Sequence, residues 1–156
     1  MVEPADLASP ALRATVGRLV LAKGVFDLTH YGHVQSLRAA RELGDSLVVA
    51  LASDQSVARR KGPGRPVLNL TERVGIIAGL RVVDYVTVYD EVSPFRLVAT
   101  IRPDRFCATH FASLTTPEQD ELRRLGVELT LLPRPRQRST SDIIADILQG
   151  YTGERT

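Results

Sequence analysis

Residues 24–33 read Gly24-Val25-Phe26-Asp27-Leu28-Thr29-His30-Tyr31-Gly32-His33. Upstream, Leu19 to Ala22 is a short apolar run that enters this stretch through Lys23-Gly24, the pattern of a buried strand opening into a turn. Downstream from His33, Val34, Leu37, Ala40 and Leu43 recur at helical spacing, and Gly44 supplies a stop. The stretch therefore joins a strand to a helix N-terminus. In an open α/β sheet that junction lies beyond the carboxyl ends of the strands, where unpaired N–H groups and the helix dipole favour an anion. Two of the chain's three histidines sit there, and Gly32 leaves room for both imidazoles to approach one phosphate.

Working outward, Ser46 to Ala52 is a continuous aliphatic run, as expected of a parallel strand covered on both faces. Lys61-Gly62-Pro63-Gly64-Arg65-Pro66 reads as a loop, and Asn69 with Glu72 makes a capping-box start for a helix to about Leu80. Strands are expected at Tyr85 to Tyr89, Arg105 to Ala108 and Val127 to Leu132. Helices are expected from Ser93-Pro94 to about Ile101, and from Thr116-Pro117-Glu118 to near Gly126. A last helix is capped by Ser139-Thr140-Ser141-Asp142 and presents Ile143, Ile144, Ile147 and Leu148. Five strands alternating with helices predict an α/β fold, a Rossmann-like three-layer sandwich with a five-stranded parallel sheet. The expected division is an N-terminal tail over residues 1–16, one domain over 17–150 and a C-terminal tail over 151–156.

The bulk properties agree with one domain of this class. A chain of 156 residues buries a sizeable core unaided, and its 44% hydrophobic and 24% charged residues are those of a soluble globular protein. The longest apolar runs are too short for a bilayer, so no membrane partner is expected. Met1 to Pro10 carries two acidic residues and no basic one, unlike a secretory signal, and the single Cys107 forms no internal disulfide. Cytoplasmic localisation is the expectation. With 20 basic against 18 acidic residues, nothing resembles a nucleic-acid-binding arm. Basic residues do gather at Arg59-Arg60-Lys61 and at Arg134, Arg136 and Arg138. Two such loops suit a small polyanion, although alone each reads equally well as a solvated loop.

The chemistry that suits this stretch is attack by an acceptor phosphate oxygen on the α-phosphorus of a nucleoside triphosphate. It needs alignment of two anions and stabilisation of developing charge, for which histidine N–H donors, a lysine, arginines and magnesium are appropriate. A lone histidine is more often a cap or a core residue; the pair in this setting reverses that balance. No metal site is assigned to the chain, since no Cys, His or acidic cluster has ligand spacing and His110 stands isolated.

The same stretch resembles the signature of the HxGH nucleotidyltransferase superfamily, continuing through Leu43-Gly44-Asp45, Ala52-Ser53-Asp54 and Lys61. Lys61-Gly62, Gly64-Arg65-Pro66-Val67, Thr71-Glu72-Arg73, Val83-Asp84-Tyr85-Val86, Glu91 and Ser93-Pro94 are most similar to adenylyltransferase domains for D-glycero-β-D-manno-heptose 1-phosphate. Glycerol-3-phosphate cytidylyltransferases are the next pattern. The resemblance implies transfer of a nucleoside monophosphate from ATP or CTP, with Mg2+, to a small phosphorylated acceptor, releasing pyrophosphate; it also implies a homodimer. It gives His30, His33 and Lys61 catalytic roles on the phosphates and places Val25 and Phe26 in the nucleotide pocket. Arg81 matches a functional arginine of the cytidylyltransferase branch, or is a helix-end surface charge. Leu132-Pro133-Arg134 through Arg138-Ser139-Thr140-Ser141 resembles a second signature that holds the β- and γ-phosphates. Pro103-Asp104-Arg105-Phe106-Cys107-Ala108-Thr109-His110-Phe111 departs from the family, which carries lysine at the position of Ala108 and glycines at Thr109 and His110. Lys23 also replaces an uncharged residue. These departures leave a non-catalytic nucleotide-binding module as the alternative function.

Overall fold

The computed structural model describes residues 1–91, 93–108, 114–132 and 139–152. Its elements run α1 (Pro4–Leu7), α2 (Pro10–Val16), β1 (Leu19–Gly24), α3 (Tyr31–Arg41), β2 (Ser46–Ala52), α4 (Asp54–Lys61), α5 (Leu70–Ala78), β3 (Tyr85–Tyr89), α6 (Phe95–Ile101), β4 (Arg105–Ala108), α7 (Thr116–Leu125), β5 (Glu128–Leu131) and α8 (Thr140–Thr152).

The five strands form one sheet in the order β3-β2-β1-β4-β5, and every pairing is parallel. The expected fold class is thus borne out. After β1 the chain winds outward through β2 and β3, then returns to place β4 on the other side of β1. The C-terminal ends of β1 and β4 flank the point where winding reverses, which is where such sheets open a crevice for ligands.

Strand alternation sends Leu19 and Leu21 to one face, where they pack with Leu7, Val16, Val57, Leu97, Val98 and Leu122. Val20 and Ala22 point to the other face, against Leu37 and Ala40 of α3 and Ile77 of α5. Helices α1, α2, α4, α6 and α7 therefore cover the first face, and α3 and α5 the second.

Residues 1–16, expected as a loose tail, instead fold as two short helices. Pro4 and Pro10 open them at the first turn, and Ser9 Oγ accepts the Leu12 N–H at 3.3 Å. Leu7 is fully buried, and the Val2 N–H donates to the Val86 carbonyl at 2.9 Å along edge strand β3. A second correction concerns the basic run Arg59-Arg60-Lys61, which is the last turn of α4 and not part of a loop. Ser53 caps that helix, its Oγ accepting from the Ser56 N–H at 3.0 Å, and three cations at the C-terminal end complement the helix dipole. The helix after the glycine-rich stretch starts at Tyr31, two residues earlier than the apolar spacing indicates, because His30 itself is its N-cap. In α8, Ile147 and Leu148 are exposed, so the chain covers only the Ile143 and Ile144 part of the expected apolar face. Among the described residues no helix is long and apolar enough to cross a membrane.

Candidate active site

The β1–α3 turn is held in a conformation that its residues do not favour. Phe26 and Leu28 have φ of +53° and +46°, a left-handed backbone that costs a non-glycine residue roughly 1–2 kcal/mol. Gly24 makes the turn possible in a second way, since a Cβ there would lie 2.7 Å from the folded-back ring of Phe26. What holds the turn is Asp27, which is 2% exposed. Its carboxylate accepts from Arg65 Nε at 2.8 Å and from the Val67 and Leu68 N–H groups at 3.0 Å. Its carbonyl accepts the Thr140 hydroxyl at 2.8 Å. Asp27 thereby joins the first motif, the loop before α5 and the start of α8.

Burial disfavours the charge on Asp27, but the N–H groups of Leu68 and Val67 and the Arg65 guanidinium overcome it and hold the carboxyl below its ordinary value of 3.8. A depressed carboxyl contributes stability that is complete above the ordinary value and is lost as pH falls through the native one. Melting temperature is therefore expected to drop as pH is lowered below 3.8. Asp27→Asn should lower stability at neutral pH and flatten this acid limb; an unchanged acid limb in a thermal scan across pH would show that Asp27 does not carry it.

Arg73 braces the same turn from beneath. It is 0% exposed and donates to the Val25 carbonyl at 2.7 Å, the Leu68 carbonyl at 3.1 Å and Asp54 Oδ1 at 2.6 Å. The other Asp54 oxygen accepts the Leu70 N–H at 3.0 Å, joining the N-termini of α4 and α5. Asp27, Arg65, Arg73 and Asp54 had no role assigned from sequence, yet they determine where the histidines stand.

His30 Nδ1 accepts the Gly32 N–H at 3.1 Å, and His33 Nδ1 accepts the His30 N–H at 3.4 Å. With Nδ1 an acceptor in both rings, the neutral tautomer carries its proton on Nε2, so each ring offers one N–H outward. The ring centroids are 4.0 Å apart, and Phe26 packs edge-on to His33 at 5.3 Å. Burial first, then the fields of His30 and Lys61, push His33 down to about 4 against a smaller pull from Asp27; burial also lowers His30. Both imidazoles are accordingly neutral at pH 7 in the free protein and gain basicity beside an anion. Lys61, at the end of α4, is held below the usual lysine range by burial, Arg65 and Arg60, with Asp27 opposing.

Beside His33 is a cavity of about 130 Å³ whose walls include Lys23, Gly24, Phe26, Leu37, Cys107 and Leu132. It opens at the reversal point between β1 and β4. Burial raises the Cys107 thiol to about 12, so it is a neutral wall residue and no nucleophile.

The structure brings His30, His33, Lys61, Phe26 and Thr140 to this sheet edge and gives three of the expected residues other surroundings. Val25 packs against the core of the first face, away from Phe26, with its carbonyl bound by Arg73. Thr140 spends its hydroxyl hydrogen on the Asp27 carbonyl, so it docks α8 while Ser139 and Ser141 remain exposed at the helix start. Arg81 is exposed in the turn from α5 into β3, whose neighbour Asp84 pairs with Leu47 at the opposite edge of the sheet. Within one chain it is remote from the histidines. Arg134 and Arg138 lie outside the described residues, as do Thr109, His110 and Phe111.

Among the described residues magnesium finds no carboxylate cage. Asp27, the carboxylate whose field reaches His33, has its oxygens occupied by Arg65, Val67 and Leu68. Among the described residues, no group of three or more His, Cys, Asp or Glu is placed to hold a metal ion.

Residues 21–148 match the family model described as cytidylyltransferase-like. The chain is 44% identical to a bifunctional protein HldE of Streptomyces coelicolor over 149 residues, covering 95% of this chain and 32% of that protein. It is 42% identical to a protein of the same name in Syntrophotalea carbinolica, over 85% of this chain and 27% of the relative. It thus spans about a third of the length of these relatives. A lipopolysaccharide core biosynthesis protein from Thermoplasma volcanium superposes with a TM-score of 0.65 at 30% identity, over 78% of this chain and 99% of that one. A pantothenate synthetase from Thermus thermophilus shares the fold, with a TM-score of 0.60 at 15% identity, over 88% of this chain and 62% of that one. The superfamily resemblance carried by residues 24–33 is borne out.

Proposed function

Since the chain belongs to the cytidylyltransferase-like family, we propose that it is a nucleotidyltransferase that transfers AMP from ATP to a sugar 1-phosphate of the heptose type, releasing pyrophosphate. The observation that carries this reading is the pair of Nε2–H donors at the start of α3, fixed by the bonds that His30 and His33 accept at Nδ1. In the reaction an acceptor phosphate oxygen forms a bond to the α-phosphorus while the bond to the bridging oxygen of the β-phosphate breaks. Charge accumulates on the non-bridging α-oxygens and on departing pyrophosphate. The two imidazoles, Lys61 and the exposed N-terminus of α8 face that charge without having to move, which is how preorganised donors lower a barrier. The acceptor is already ionised near neutral pH, so no strong base is required. Bound to the triphosphate oxygens, a magnesium ion would supply further charge neutralisation.

The sugar-phosphate acceptor is supported by relatives named HldE and by the likeness to a protein titled for lipopolysaccharide core biosynthesis. CTP with glycerol 3-phosphate is the second reading, favoured by the description of the matching family. Homodimerisation is supported by the family resemblance and by the exposed Ile147 and Leu148 of α8. A cytoplasmic location is supported by the single, buried Cys107. The test crosses ATP, CTP, GTP and UTP with heptose 1-phosphate, glycerol 3-phosphate and other sugar phosphates, following pyrophosphate. Release with ATP and heptose 1-phosphate is the expected result; preference for CTP with glycerol 3-phosphate would move the enzyme to the second reading.

A further inference from the structure

Lys23 is the last residue but one of β1, the central strand, and alternation from Leu19 and Leu21 directs it to the first face of the sheet. The histidines lie at the start of α3, on the second face, and the cavity beside His33 is lined by Lys23 together with Gly24, Phe26 and Leu37. An in-line displacement places the attacking and departing oxygens on opposite sides of the α-phosphorus. With the triphosphate on α3 and α8, an acceptor phosphate approaching in line past the end of β1 meets Lys23, whose side chain leaves the strand toward α4 and α7 and whose residue borders the cavity beside His33. Resting on the nucleotidyl-transfer reading, we propose that Lys23 is the acceptor-binding cation of this protein, holding the phosphate of the incoming phosphomonoester and setting acceptor specificity.

Three features support that assignment. Lys23 is half-buried, yet among the described residues no hydrogen bond or ion pair reaches its Nζ. An ammonium in that position is costly unless an anion joins it. The charged groups that face it are Glu118 of α7, which attracts it, and Arg60 of α4, which repels it. Glu118 is already engaged, its oxygens accepting Ser93 Oγ at 2.6 Å and the Thr115 N–H at 2.7 Å. Arg60 also acts on Lys61, whose own field reaches His33. Arg60 and Lys61, consecutive in the last turn of α4, thus act on Lys23 and on His33 respectively. Finally, Ala22 pairs with Cys107, which puts Lys23 beside Ala108 across the β1–β4 ladder. The lysine missing at Ala108 has a counterpart on the adjoining strand.

The test compares wild type, Lys23→Met and Lys23→Arg in steady-state kinetics with ATP and heptose 1-phosphate or glycerol 3-phosphate, whichever wild type uses. Met preserves the aliphatic stem, and a thermal melt checks that each variant is folded. Lys23→Met should raise the acceptor KM about tenfold or more, the scale of a lost charged hydrogen bond, with the ATP KM unchanged. Lys23→Arg should restore most of it. Burial lowers the Lys23 ammonium, so the wild-type acceptor KM should begin to rise at alkaline pH before the ordinary lysine range, and Lys23→Arg should remove that rise. Turnover by wild type with an unaltered acceptor KM in Lys23→Met, or a loss confined to ATP binding or to kcat, would overturn the Lys23 assignment and leave the proposed reaction standing. Absence of wild-type turnover with every nucleotide and phosphomonoester would overturn both.

Discussion

His30→Ala and His33→Ala are each expected to lower kcat by about 10²- to 10³-fold, as loss of one preorganised donor does in an oxyanion-type site. The geometry makes the two losses unequal in character. His30 is the N-cap of α3 and accepts the Gly32 N–H, so its removal also frees a helix-start donor. His33 packs against Phe26, so its removal also opens space toward the cavity. His30→Ala should therefore show a modest fall in melting temperature, of the size of a lost cap, about 1 kcal/mol. Restoration of much of the rate by His33→Gln or His30→Asn, which retain an N–H donor, would indicate positioning and electrostatics; no restoration would indicate that the proton itself is transferred.

The second large effect is on stability. Arg73→Met removes the donor from two backbone carbonyls, Val25 and Leu68, that flank Asp27 on either side of the site. Leaving buried acceptors unsatisfied costs about 1–3 kcal/mol each, and Asp54 loses its ion pair as well. A fall of about 3 kcal/mol or more in urea unfolding is expected. The folded fraction should also bind nucleotide poorly, since the left-handed turn at Phe26 and Leu28 loses its brace. A melt within the error of wild type would show that Arg73 is not structural.

Arg73 also illustrates what sequence discloses. It occupies the position between Leu70 and Val74, with Ile77 beyond, that the helical period of α5 turns toward the core. A charged residue in an apolar stripe is itself a signal of buried pairing, although it does not name the partners, which come from β1, the loop at Leu68 and α4. The strands were legible because β1 and β2 are buried on both faces and hence continuously apolar. Helix α5 was legible from its capping box, in which Asn69 and Glu72 bond reciprocally. Helix α4 was not, because Asp54-Gln55-Ser56-Val57-Ala58-Arg59-Arg60-Lys61 has little apolar periodicity and is anchored chiefly by Val57. Its Ser53 cap was the available clue.

The N-terminal helices escaped for a related reason. Segments of four and seven residues are too short for a periodic pattern, and only contact with the sheet makes Leu7 a core residue. At the site, the glycine-and-histidine stretch revealed the chemistry, because two donors at a helix start have few other uses. The identity of its supports was hidden. Asp27 reaches Arg65, Val67 and Leu68, about forty residues away along the chain, and Thr140, more than a hundred away. Local pattern cannot encode such partners.

If residues 24–33 form the catalytic centre of a nucleotidyl transfer, the product is a nucleoside diphosphate sugar, and identifying it decides the matter. Wild-type protein mixed with ATP, magnesium and heptose 1-phosphate, and followed by phosphorus NMR, should yield pyrophosphate and a nucleoside diphosphate sugar in equal amounts, with His33→Ala forming them at least about 10²-fold more slowly. Saturable binding of ATP with no new sugar-diphosphate signal, whichever phosphorylated acceptor or nucleoside triphosphate is supplied, would rule out catalysis at residues 24–33 and identify a nucleotide-binding module instead.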